Sequence, residues 1–126
     1  DFGFAKQCVD KDNNIIMSET FCGTLPYECP QILERKQYNA FKADTWSMGV
    51  TLFILLHNRF PFDYQNEKKM LAQTKDYPRY IRSRYVRKMS PDAEKLVELL
   101  LNPDETRRGS VHNILASPYL RRKVPN

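Results

Sequence analysis

The stretch Asp44-Thr45-Trp46-Ser47-Met48-Gly49-Val50-Thr51-Leu52-Phe53-Ile54-Leu55-Leu56 decides the fold class of this 126-residue chain. From Met48 onward it is apolar on nearly every face, interrupted only by Gly49 and Thr51, and a helix of that kind belongs in a core. The pattern predicts a helix over 43–56. Asp44 is expected at its amino end, where a carboxylate caps free backbone N–H groups and meets the positive end of the helix dipole. Asn58 follows as a left-handed terminating residue, and Pro61 stops the helix. The apolar run over 50–56 is far short of the roughly 20 residues a membrane span needs. The expectation is a soluble, mainly α-helical protein with this helix at its centre.

Downstream, a short amphipathic helix is predicted over 66–73, then a polar and aromatic loop over 77–88. Ser90-Pro91-Asp92 is a strong helix start, with Ser as cap, Pro at the first helical position and acids in the first turn. Ala93, Leu96, Val97, Leu100 and Leu101 fall on one face at helical spacing. Asn102-Pro103-Asp104 ends that helix, and a last one runs from the cap Ser110 to Ala116. Upstream, residues 1–37 show no sustained period, only turn signals such as Lys11-Asp12-Asn13-Asn14 and a brief strand signal at Asn14-Ile15-Ile16-Met17. A loop that long in a compact domain is usually functional or disordered.

Composition narrows the class. The chain is 41% hydrophobic, enough for one core, and too short for a second domain to be expected. Its net charge is +5, but acids and bases are mixed along most of it, so a nucleic-acid-binding stripe is not the default. Cys8, Cys22 and Cys29 make an odd set without a C-x-x-C pair, which argues against a disulfide framework or structural zinc and for a reducing, cytoplasmic setting.

Chemistry is carried by signatures in a fixed order. Asp1-Phe2-Gly3 opens the chain. Thr20-Phe21-Cys22-Gly23-Thr24-Leu25-Pro26-Tyr27-Glu28-Cys29-Pro30-Gln31 follows one loop later, then Asp44-Thr45-Trp46-Ser47-Met48-Gly49, Pro61-Phe62 and finally Arg108. Together they resemble the eukaryotic protein kinase family from its metal-binding motif to the end of its C-terminal lobe. The Gly23-Thr24-x-x-Tyr27 pattern resembles Ser/Thr kinases of the calcium/calmodulin-dependent group. Thr20-Phe21-Cys22-Gly23, Lys68-Lys69-Met70-Leu71 and Leu101-Asn102-Pro103-Asp104 are similar to the testis-specific serine kinases. The resemblance implies a partial kinase catalytic domain over 1–120, with an activation segment over 1–31, a helical subdomain over 43–120 and a tail over 121–126.

It also implies roles. Phosphoryl transfer from ATP builds negative charge that Mg²⁺ neutralises, so a carboxylate must hold the metal against the phosphates. Asp1 matches that metal-binding, catalytic carboxylate. Phe2 packs beneath it, and Gly3 lets the motif swing. Thr20 matches the activation-loop phosphosite, with Ser18 a neighbouring candidate. Phosphate there orders a loop through arginine pairing, whereas the plain alternative is a solvated hydroxyl. Thr24 matches the threonine beside the substrate hydroxyl, or is an ordinary turn residue. Asp44 resembles the aspartate that bonds the backbone of the catalytic loop, or is only a cap. Trp46 and Gly49 are structural. The family's Ala-Pro-Glu reads Cys29-Pro30-Gln31 here, so the usual glutamate partner of the late arginine, Arg108, is a glutamine. His57 and His112 suit surface or capping roles, and Cys22 a buried or redox-sensitive one.

The Gly-rich loop, the ATP-site lysine and the catalytic His-Arg-Asp are not among these residues, whose only glycines are Gly3, Gly23, Gly49 and Gly109. The chain is therefore expected to be inactive alone, as a fragment of an active kinase with protein substrates and an upstream activating kinase as partners. The rival is a truncated lobe that binds proteins without catalysis. Residues 79–88 alternate cations with aromatics, a third, nucleic-acid-binding possibility that the family's variable loop there disfavours. A fragment is also expected to expose the apolar faces that contact the rest of its domain, and so to be poorly soluble.

Overall fold

The computed structural model describes residues 17–18, 27–63 and 65–121. Their elements are β1 (Met17–Ser18), α1 (Pro30–Leu33), β2 (Tyr38–Asn39), α2 (Ala40–His57), α3 (Glu67–Lys75), α4 (Arg79–Ser83), α5 (Pro91–Leu100) and α6 (Val111–Leu115). The two strands pair antiparallel, with Met17 opposite Asn39 and Ser18 opposite Tyr38. Everything else regular is helical. Among the described residues no helix is long and apolar enough to cross a membrane.

Helix α2 is the core element, with Trp46, Val50 and Phe53 each at 0% exposure. It begins earlier than expected, because Asn39 and not Asp44 is the cap. The Asn39 side chain accepts from the N–H groups of Phe41 (2.9 Å) and Lys42 (3.4 Å). Asp44 lies in the second turn, where the backbone N–H groups are already bonded within the helix, and it is exposed. The far end is as the sequence predicts: Asn58 has φ 53° and its N–H bonds to the Ile54 carbonyl at 2.7 Å.

Helix α5 packs across α2 through its apolar face, and Ala93, Leu96, Val97 and Leu100 are all buried. Ser90 caps it by accepting from the Ala93 N–H at 3.2 Å. The crossing is close at Gly49: a Cβ there would lie 2.7 Å from Leu100 Cβ and 2.9 Å from Leu101 Cδ2. Helix α6 begins with a reciprocal cap, Ser110 accepting from the Asn113 N–H and Asn113 from the Ser110 N–H.

Three further expectations need correction. The segment expected as loop over 77–88 contains α4, whose single buried residue, Ile81, leaves no periodic signal. It is held by tertiary bonds: Arg82 pairs with Glu94 and Glu98 of α5, and the Tyr77 hydroxyl donates to the Glu98 carbonyl. The aperiodic residues before 38 include the four-residue α1, started by Pro30 in its first turn and ended by Arg35 at φ 56°. His57, expected in a surface or capping role, lies in the last turn of α2 but is 2% exposed. Its ring stacks on Tyr85 at 4.8 Å, and its Nδ1 accepts from the Val86 N–H at 3.1 Å.

Candidate functional site

The sequence links the segment ending at Gln31 with Arg108, and the fold places the two side by side. Arg108 follows the turn after α5 and is 1% exposed. Its Nε donates to the Asn102 carbonyl (2.9 Å), its Nη1 to the Lys42 carbonyl (3.0 Å) and its Nη2 to Gln31 Oε1 (2.8 Å). The guanidinium lies 5.0 Å from the centre of the Trp46 ring, near enough for a cation–π contact. Trp46 in turn stacks on Phe62 at 5.6 Å and 9°. Gln31, Trp46 and Arg108 thus form one unit, with Gly49 three residues along α2 permitting the approach of α5.

This unit is a buried cation served by neutral acceptors. Among the described residues no carboxylate forms an ion pair with Arg108. Burial pulls its pKa down, opposed by the nearby Cys29 thiol and Glu105. Burial pushes the Cys29 thiol up, opposed by Arg108. The Gln31 amide uses both its ends: while Oε1 accepts from Arg108, Nε2 donates to the Pro103 carbonyl at 2.7 Å. That second bond is one a glutamate cannot make, and it compensates in part for the missing charge.

Two residues that the motifs did not single out complete the clamp. Lys42 Nζ donates to the carbonyls of Glu105 and Arg108, tying the first turn of α2 to the turn before α6. Ser47 Oγ donates to the Tyr27 carbonyl at 3.0 Å, holding the chain before α1 on the side of α2. A lysine and a serine on a helix carry no spacing signal. Only the folded arrangement identifies them.

Asp44 projects from the other side of α2. It shares an exposed stripe with Phe41, Met48, Thr51 and Leu55, positions three and four apart that fall on one helical face. The three large apolar members are 42%, 46% and 79% exposed. Partial desolvation at this surface raises the Asp44 carboxyl pKa, and no described side chain bonds it. The expected apolar face is therefore present, with a carboxylate set into it.

Asp1, Phe2, Gly3, Cys22, Thr20 and Thr24 lie outside the described residues, and of Ser18 only the backbone pairing in β1 is described. Among the described residues no group of three or more His, Cys, Asp or Glu side chains is placed to hold a metal ion. In the 79–88 stretch, Arg79 bonds Asp76 and Arg82 bonds Glu94 and Glu98, so two of its cations are already answered by carboxylates.

Comparison with known proteins agrees with the motifs. The protein kinase domain model matches residues 1–120. Mouse testis-specific serine/threonine-protein kinase 2 is 34% identical over 130 residues, covering 99% of this chain and 35% of that protein. Human testis-specific serine/threonine-protein kinase 3 is 35% identical over 123 residues, covering 95% of this chain and 43% of that protein. Arabidopsis thaliana CBL-interacting serine/threonine-protein kinase 5 is 37% identical over 107 residues, covering 82% of this chain and 22% of that protein. The chain thus spans less than half the length of each of these relatives. With its motifs joined around Arg108 and its match running over residues 1–120, the chain belongs to the protein kinase domain family, alongside serine/threonine-protein kinases.

Proposed function

We propose that this chain is the later, helical part of a kinase catalytic domain that transfers the γ-phosphoryl group of ATP to Ser and Thr hydroxyls of protein substrates. The kinase-domain match over residues 1–120 carries this assignment. The Arg108 clamp supports it, because peptide phosphorylation needs the segment before Gln31 held rigidly beside the domain body. Arg108, Gln31, Lys42 and Ser47 do that holding, and Trp46 fills the space behind the guanidinium.

Asp1 is assigned as the Mg²⁺ ligand. Bound Mg²⁺ would neutralise charge on the transferring phosphoryl group. Asp1 falls outside the described residues, so its role rests on the motif. Thr24 is assigned beside the substrate hydroxyl and Thr20 as a phosphosite for an activating kinase. Asp44, exposed within the apolar stripe of α2, suits a carboxylate that bonds backbone N–H groups of another segment of the complete domain. That segment would also cover Phe41, Met48 and Leu55, and on this account the chain alone is inactive. Similarity to testis-specific serine/threonine-protein kinases 2 and 3 favours that subfamily; the calcium/calmodulin-dependent group rests on the Gly23-Thr24-x-x-Tyr27 pattern, and a cytoplasmic setting on the odd cysteine set.

The test is transfer of labelled γ-phosphate from ATP by the full-length protein to peptides that offer Ser, Thr or Tyr. Phosphoserine and phosphothreonine are the expected products. Product on tyrosine alone, or none under conditions where the protein is folded, would refute the assignment.

A further inference from the structure

Where α2 ends, the chain turns past α3 and α4 around an open groove of about 560 Å³. Its wall carries three cations, Arg59, Lys69 and Arg84, against one carboxylate, Asp63. Asp63 is committed to Lys69, whose Nζ lies 3.1 Å away, and accepts from the Gln65 N–H at 3.1 Å. Those contacts hold the Asp63 pKa down, Lys69 contributing most.

Arg84 adds a smaller electrostatic pull on Asp63, but neither arginine bonds a carboxylate. Arg84 donates one bond, from Nη2 to the Phe60 carbonyl at 2.9 Å, while its Nε is buried with no partner. Arg59 is exposed and makes no hydrogen bond or ion pair with a described residue. The other N–H groups of the two guanidiniums can serve an anion here, since guanidinium groups take carboxylate or phosphate oxygens in pairs. The remaining wall is aromatic, with Phe60 and Tyr80 half-buried and Tyr80 stacked on Phe62 at 6.0 Å. A low-dielectric wall beside excess positive charge strengthens the attraction for an anion.

We propose that this groove docks an anionic side chain, a carboxylate or a phosphate, from an extended peptide of a protein partner. The Arg59 and Arg84 guanidiniums take the anion, and an apolar or aromatic neighbour of the acidic residue lies against Phe60 and Tyr80. Aromatic rings beside the two guanidiniums suit an acidic residue with an apolar neighbour better than a small anion. Docking here needs neither ATP nor metal, so it stands or falls apart from the phosphotransfer assignment.

Fluorescence anisotropy of the full-length protein with labelled peptides tests it. The peptides place glutamate, phosphoserine or glutamine next to phenylalanine in an otherwise neutral sequence. The glutamate and phosphoserine peptides should each bind at least about tenfold more tightly than the glutamine peptide. That margin should shrink as salt is raised. Tighter binding of phosphoserine would mark phosphate as the ligand, and tighter binding of glutamate a carboxylate. Arg84→Gln should remove most of the margin. Because Arg84 also anchors the Phe60 carbonyl, Arg59→Gln is the safer variant: it is exposed, breaks no bond in the fold, and should weaken both acidic peptides with no change in thermal stability. Equal binding of all three peptides, no effect of Arg59→Gln, or preferential capture of single-stranded RNA would overturn the proposal.

Discussion

Gln31→Glu restores a carboxylate beside Arg108, and the structure sets the size of its effect. The acceptor atom is already 2.8 Å from Nη2, so the two charges would sit about 4 Å apart, worth about 4 kcal/mol at an effective dielectric of about 20. Against this stand two losses. The carboxylate must itself be desolvated, but Gln31 is only partly buried, so the cost is about 2 kcal/mol. The Nε2 bond to the Pro103 carbonyl, 2.7 Å long, disappears, at about 1 kcal/mol, and an oxygen then faces an oxygen. Arg108 is desolvated in either case, a cost that cancels, so the balance is a stabilisation of about 1 kcal/mol. In the full-length protein that is a rise in Tm of about 2–4 °C, read by differential scanning fluorimetry. Gln31→Met, which leaves Nη2 without this acceptor, should instead lower stability by about 2 kcal/mol. The sign with pH is also set. Arg108 would depress the pKa of the introduced carboxyl, so its stabilisation is present above about pH 4 and is lost as pH falls through the depressed value. An unchanged or lowered Tm for Gln31→Glu at neutral pH would refute the view that this site lacks a charge, and would show the Pro103 bond to be the stronger contribution.

Three other outcomes follow from the packing. Gly49→Ala places a Cβ 2.7 Å from Leu100 Cβ; overpacking of about 1–3 kcal/mol outweighs about 1 kcal/mol of gained helix propensity, so the urea midpoint should fall, and a rise would mean that α5 shifts freely. Burial first, then Arg87 and Arg59, lower the His57 pKa below 6.5. The unfolded chain therefore binds a proton that the folded one resists. Stability should be complete above about pH 6.5 and decline as pH falls toward the lowered folded value, and a decline as steep in His57→Leu would assign it to other groups. Leu55→Lys, at a side chain 79% exposed, should change the stability of the isolated chain by less than about 0.5 kcal/mol and reduce its aggregation. In the full-length protein the same substitution should destabilise by about 2 kcal/mol or more, and equal tolerance in both would mean that nothing covers this stripe.

How far the sequence reveals this arrangement depends on the kind of signal each element carries. Helices α2 and α5 are legible because long apolar patterns and caps agree over several turns. The start of α2 is not, since Asn39 and Asp44 are both competent caps and only the β2 pairing of Asn39 decides between them. Helix α4 has one turn and one buried residue, Ile81, so its existence depends on Glu94 and Glu98 of a helix about 15 residues away. His57 looks like a surface histidine at a helix end, and it is buried because Tyr85 returns to stack on it. The link between Gln31 and Arg108 is legible through motif order. Lys42 and Ser47, which do as much to hold the segment, bond through backbone carbonyls, and carbonyls leave no mark on residue identity.

On the proposed function, Asp1 is the metal-holding carboxylate and the helices are the body of a phosphotransfer site. The most direct test is the single-turnover rate of γ-phosphoryl transfer to a serine peptide by the full-length protein and by its Asp1→Asn variant, with both shown to be equally folded by circular dichroism. Transfer by the wild type that falls to background in Asp1→Asn is the predicted result; undiminished transfer by the variant would contradict it.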